Sequence, residues 1–190
     1  ISKDKATNEK ITLGEQSGIH FAITKENGDP TPCKAQIIGV EGTPSPRLGP
    51  VDRAHGCNDQ YHSENGQFSI GLAPGKYKII ITRGIEHDHY EKMLEVKKGK
   101  FVTIQTSLIR SVKTTGWVST DFHNHSTPSG DNICGTPDRL INLAAEHIEF
   151  APTTEHNRIM DWTPTIKSLG LTGEISTIPG MELTGSGPHL

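Results

Sequence analysis

Along residues 18–108, apolar and polar positions alternate in short runs separated by turn residues. A period of two marks half-buried strands, because successive side chains of an extended chain point to opposite faces. Ile19-His20-Phe21-Ala22-Ile23 opens the series and Asn27-Gly28-Asp29-Pro30 supplies its turn. Residues 35–40, 67–72, 76–81, 93–96 and 101–108 continue it, with Ala73-Pro74-Gly75 and Lys97-Lys98-Gly99-Lys100 as turns. Six or seven strands at this spacing predict an antiparallel β-sandwich. Residues 41–65, rich in Gly, Pro and Asp, predict a long loop that carries function or wraps the sandwich edge.

After Lys113-Thr114-Thr115-Gly116 the period changes. Residues 117–122 read as a strand. Thr136-Pro137-Asp138 then supplies an N-cap, a proline at the first helical position and an acidic first turn. Leu140, Ile141, Ala144, Ala145 and Ile148 recur at helical spacing. Residues 149–154 predict a second strand, although Pro152 removes a ladder donor. A helix opened by Asp161-Trp162-Thr163-Pro164 stops at Gly170, and residues 175–178 predict a third strand. The order β, α, β, α, β is that of parallel α/β folds, which present their sites at the carboxyl ends of strands. The expected division is residues 1–115 for the sandwich and 116–190 for the α/β part.

Composition narrows the classes. The chain has 190 residues, formal net charge −3 and 32% hydrophobic content, with 20 Gly and 12 Pro. That balance gives no basic footprint for nucleic acid, and no apolar run is long enough to cross a membrane. The polar start, Ile1-Ser2-Lys3-Asp4-Lys5, carries neither an initiator Met nor a signal peptide and reads as a chain whose beginning has been removed. Cys33 and Cys57 could pair in an oxidising compartment or stay unpaired, and Cys134 reads as a small packing residue.

Candidate chemistry gathers at the three strand ends. Asp121-Phe122-His123-Asn124-His125 follows the first, with Asp131 in a Gly-containing turn; Glu155-His156 follows the second; Glu182 follows the third, with His189 beyond it. Asp121, His123 and His125 share one face of an extended chain. Imidazole and carboxylate together suit Zn, Mn or Fe. Glu86-His87-Asp88-His89 repeats the His-x-His spacing but lacks later partners, so a solvated loop is expected there. His20, His55 and His62 read as surface or partly buried histidines, and His147 as a helix-dipole or packing residue.

Two resemblances follow from these residues. Asn65-Gly66-Gln67-Phe68, Leu72-Ala73-Pro74-Gly75-Lys76-Tyr77 and Val96-Lys97-Lys98-Gly99 resemble the carboxypeptidase regulatory-like (transthyretin-like) sandwich, usually a non-catalytic accessory beside extracytoplasmic hydrolases. That resemblance implies a mild preference for a periplasmic or secreted location. Asp-x-His-x-His at 121–125, Thr-x-x-His-Asn at 153–157 and Gly-x-Glu-Leu at 180–183 resemble the PHP (polymerase and histidinol phosphatase) metallohydrolases, closest to the carbaryl hydrolase-like branch.

The PHP resemblance implies a distorted (β/α)7 barrel with two or three divalent metals (Zn, Mn or Fe) at its carboxyl rim. It assigns His123 and His125 to the most buried metal, Glu182 as a bridging carboxylate, Asp131 and His156 to the others, and His189 to a later ligand position. Asp121 is expected to orient an imidazole. The family commonly has Asp before the second-strand histidine; here Glu155 stands there and is kept out of the ligand set. Three β/α units are too few to close a seven-stranded barrel, so the remaining ligands are expected beyond Leu190.

The implied function is hydrolysis of a phosphoester, carbamate or amide by metal-activated water, on a small-molecule or phosphoester substrate. The alternative is a non-catalytic module binding a glycan or protein partner, with a remnant or structural metal site.

Overall fold

The structure, a computed structural model, describes residues 15–48 and 58–185. Its first part consists of β1 (Gly18–Thr24), β2 (Cys33–Val40), β3 (Gln60–Ser63), β4 (Gln67–Gly71), β5 (Gly75–Thr82), β6 (Tyr90–Val96) and β7 (Phe101–Ser107). These strands form two sheets, ordered β4-β1-β7 and β3-β2-β5-β6. Alternation dictates which faces meet. Ile19, Phe21 and Ile23 of β1, Cys33, Ala35 and Ile37 of β2, and Tyr77, Ile79 and Ile81 of β5 are buried in one core, joined by Ile70, Val96 and Ile104. Burying each such isoleucine contributes roughly 1.5–3 kcal/mol.

The expected antiparallel sandwich needs one correction. β1 pairs antiparallel with β4 but parallel with β7, Gly18 opposite Phe101 through Thr24 opposite Ser107. The sheet is mixed because β1 and β7, at opposite ends of this part, become neighbours. β3 also falls inside the stretch expected to be loop, pairing with β2 from Cys33–Ser63 to Gln36–Gln60. Residues 49–57 of that stretch, with His55 and Cys57, lie outside the described residues, and so does any pairing of Cys33 with Cys57.

Two turns explain the motif residues. The Tyr77 hydroxyl donates to the Ala73 carbonyl at 2.8 Å, closing the Pro-Gly hairpin into β5. Gly66 has φ +72°, and a Cβ there would meet the Ile23 carbonyl oxygen at 2.4 Å, so only glycine fits.

The second part holds α1 (Thr136–Ala145) and α2 (Thr163–Ser168). Gly135, rather than Thr136, is the N-cap of α1, and no side chain caps it. Thr136 is engaged elsewhere, its hydroxyl 2.9 Å from that of Ser126. Both helices bury their apolar faces around Trp162, with Leu140, Leu143, Ala144, Ala151, Ile166, Leu171 and Ile175 forming a second core.

The three strands expected here are reduced to single parallel bridges: Thr120 with Phe150, Phe150 with Ser176, and His156 with Glu182. Hydrogen bonds from Phe150 N to Ser119 O, Ala151 N to Ser176 O and Thr153 N to Ile178 O (3.0–3.1 Å) keep the three segments side by side. Pro152 falls between the two donors Ala151 and Thr153, where its missing N–H interrupts neither bond. Among the described residues these segments do not form a barrel.

Charged groups tie the two parts together. Arg83, with a side chain 2% exposed, donates to Glu174 at 2.6 Å and to the Pro32 carbonyl at 2.9 Å. Lys25 also reaches Glu174, and Lys34 pairs with Glu146. The expectation of a solvated loop at 86–89 is corrected in part. Asp88 and His89 are exposed, but Glu86 binds Arg110 and His147, and the His87 ring packs edge-on to that of His147.

Candidate metal centre

The parallel register carries the sequence candidates to one end of the three segments. Asn157 N donates to Glu182 O at 2.9 Å and Glu182 N to Glu155 O at 3.1 Å, which locks the second segment's end against the third's. The first segment's end is clamped to the second by Asn124 N donating to Thr154 Oγ1 at 2.7 Å, while that hydroxyl donates to Asn124 O. Arg139 of α1 donates to the His125 carbonyl at 2.9 Å. The backbone around His125 is therefore fixed from two sides.

Five side chains converge on this end. Glu182 Oε2 lies 2.9 Å from His123 Nε2, 3.1 Å from His125 Nε2 and 3.5 Å from His156 Nδ1. His156 Nε2 lies 3.0 Å from Asp131 Oδ2. The His125 ring sits between the other two, with centroids 4.9 Å from His123 and 4.5 Å from His156. His125 is mostly buried and His123 is 67% exposed, so the cluster opens to solvent on the His123 side. The hydrogen bond from His123 holds the Glu182 carboxyl below its ordinary range, and that from His156 does the same for Asp131.

Among the described residues two overlapping triplets could hold an ion, His123–His125–Glu182 and His125–Asp131–His156, each with its ligand atoms within 4.8 Å of one another. Two ligands of a tetrahedral ion at about 2.1 Å stand about 3.4 Å apart. The separations here fit after small outward shifts, which an exposed His123 permits. A neutral imidazole has one lone pair to give, so His125 serves one of the two triplets at a time.

Glu182 stands at the centre, its Oε2 facing all three imidazoles. His189 lies outside the described residues. Asp121 is corrected: its Oδ1 accepts from the His123 backbone N at 3.1 Å, so it orients the main chain rather than an imidazole. Glu155 belongs to neither triplet. It is fully buried beneath the cluster, accepting from Ser126 N (3.0 Å), from the Ser126 hydroxyl (2.5 Å) and from the Ser129 hydroxyl.

Ser126, Ser129, Arg139 and Thr184 escaped the sequence reading. The Thr184 hydroxyl contacts His156 Nδ1 and donates to Glu182. Neutral hydroxyls have no ligand spacing to betray them. The one available signal was a carboxylate, Glu155, set in an otherwise apolar and hydroxylic segment where it needs buried donors.

No family model matches the chain, and no curated protein matches it closely enough to count as a relative.

Proposed function

We propose that the chain carries a β-sandwich and β/α units of a PHP-type metal-dependent hydrolase acting on a phosphoester, or on a carbamate or amide. The observation that carries this reading is the convergence of His123, His125, Asp131, His156 and Glu182 at the carboxyl end of three parallel segments. Three neutral donors and two carboxylates suit a divalent ion of the Zn, Mn or Fe kind. Such an ion polarises an ester oxygen and lowers the pKa of bound water.

The protein's own residues supply the rest. Glu182 and the three imidazoles form the ligand wall, and Asp131 stands at its solvent edge. The hydrogen bonds at Asn124, Thr154 and Arg139 hold the backbone of that wall in place, so that only side chains need shift to take an ion. The transthyretin-like sandwich acts as an accessory that covers the junction face.

The test is a screen of the metal-reconstituted protein, in its longest expressible form, against phosphomonoesters, phosphodiesters and aryl carbamates, with a chelator control. Chelator-sensitive turnover lost in His125→Ala supports the hydrolase. One tightly held ion with no turnover on any substrate favours the rival reading of a binding module with a structural metal, a reading encouraged by the single-bridge pairing of the segments.

A further inference from the structure

Beneath the cluster, one serine hydroxyl touches both the buried carboxylate and a ligand histidine. Ser129 Oγ lies against Glu155 Oε2, 3.0 Å from His125 Nδ1, and 3.0 Å from the backbone N of His156. All three neighbours compete for one proton and two lone pairs. We infer that Glu155, acting through Ser129, is a positioning residue that fixes the proton of His125 on Nδ1 and so turns the Nε2 lone pair toward the metal position.

The proton count leaves little freedom. The His156 N–H can only donate, so it takes one Ser129 lone pair. Both Glu155 oxygens already face the Ser126 N–H, and Oε1 the Ser126 hydroxyl as well, so the carboxyl group acts as an acceptor and the Ser129 O–H goes to it. The one remaining lone pair of Ser129 faces His125 Nδ1, which must then carry the hydrogen. Reversing the tautomer would turn the Ser129 proton toward His125 and leave Glu155 Oε2 with only the Ser126 N–H and a facing lone pair in a fully buried site, where losing a donor is costly.

Ser126 closes the other side of Glu155. Its backbone N and hydroxyl both donate to the carboxylate, and its oxygen then accepts from Thr136 at the start of α1. All donors to Glu155 are thus committed, and no rotation of Ser126 can free Ser129 from its role. On the ligand side, His125 Nε2 faces Glu182 Oε2 at 3.1 Å. An ion there takes the place of the Nε2 hydrogen, while the relay keeps the other hydrogen of the ring on Nδ1.

The inference rests on the metal reading for its purpose but not for its test. The measurement is 1H–15N spectroscopy of the histidine rings, metal-free and with one equivalent of Zn2+, with His125→Ala used for assignment. The relay predicts a protonated Nδ1 on His125 in both states. Glu155→Gln presents an amide N–H2 that releases the Ser129 proton toward His125, so Nδ1 should lose its hydrogen. Zn2+ affinity should then fall about 10–100-fold, the range for an outer partner of a metal-bound histidine. Ser129→Ala should lower affinity similarly while the His123 signals stay in place, and Ser129→Thr should restore it.

A bare Nδ1 on His125 in the unmutated protein overturns the relay. So does Zn2+ affinity unchanged in both Glu155→Gln and Ser129→Ala. Failure of the unmutated protein to bind Zn2+ with Nδ1 still protonated sinks the hydrolase reading and leaves the relay standing.

Discussion

Nε2 of His123 lies 2.9 Å from Oε2 of Glu182, although 59 residues separate them in the chain. Nothing local brings them together. The contact exists because the first and third parallel segments flank the second and end level with it, so a histidine just past one end meets a carboxylate past another. The same carboxylate oxygen reaches His125 and His156.

Glu182 is therefore the residue whose loss should disable the whole cluster. Glu182→Gln keeps the shape and removes the charge. We expect Zn2+ or Mn2+ affinity, measured by competition with a chromogenic chelator, to fall by at least about 100-fold, since outer partners alone cost 10–100-fold. The melting temperature of the metal-free protein should move little, because pairs at a solvent-open edge contribute little to folding.

How much of this was legible in the chain depends on the physics behind each signal. The sandwich strands were readable because one face of each is buried, and burial writes itself as alternation, as in Ile19, Phe21 and Ile23. β3 was not, since Gln60-Tyr61-His62-Ser63 is short and polar at its start. The parallel β1–β7 pairing was invisible because a strand's own pattern does not record its partner's direction. The candidate ligands that the structure gathers, His123, His125, Asp131, His156 and Glu182, stood out from their place after apolar runs. The role of Glu155 was not, because a carboxylate at a strand end reads the same whether it faces the site or the interior.

The junction between the two parts should be sensitive to single charges. Glu174 accepts from both Lys25 and Arg83; burial pushes its carboxyl up, but the two cations outweigh burial and hold it below its ordinary value. Breaking such a pair leaves the Arg83 guanidinium uncompensated. Glu174→Ala should lower unfolding free energy by about 3 kcal/mol in urea titrations. Glu174→Gln, which retains hydrogen bonding, should cost less.

Gly84, at the β5–β6 turn, has φ +68°, and a Cβ there would sit 2.1 Å from the Glu146 carbonyl oxygen beyond α1. Gly84→Ala should force the turn off the second part. The expected result is a loss of more than about 1 kcal/mol together with faster proteolysis between the two parts. A variant as stable and protease-resistant as the parent would contradict the packing described.

Acid should weaken the same junction. Burial, with the positive charges of His147, Arg83 and Arg110, holds His87 down at about 4 against an ordinary 6.5. His147 is lowered too, first by burial and then by Arg83, with Glu149 and Glu86 opposing. A histidine kept neutral when folded takes up its proton first in the unfolded chain, so its stabilisation is complete above pH 6.5 and is lost as pH falls toward 4. The urea midpoint should decline across that window, and His87→Phe should make the decline shallower. An equal slope in both proteins would show that His87 is not buried as described.

The most direct measurement is elemental analysis of the purified protein after incubation with Zn2+, Mn2+ or Fe2+ and removal of excess, compared with His125→Ala. Because His125 stands in both ligand triplets, the account predicts at least one ion bound to the unmutated protein and none held at comparable affinity by His125→Ala. No bound ion in the unmutated protein, or equal binding in the variant, would contradict it.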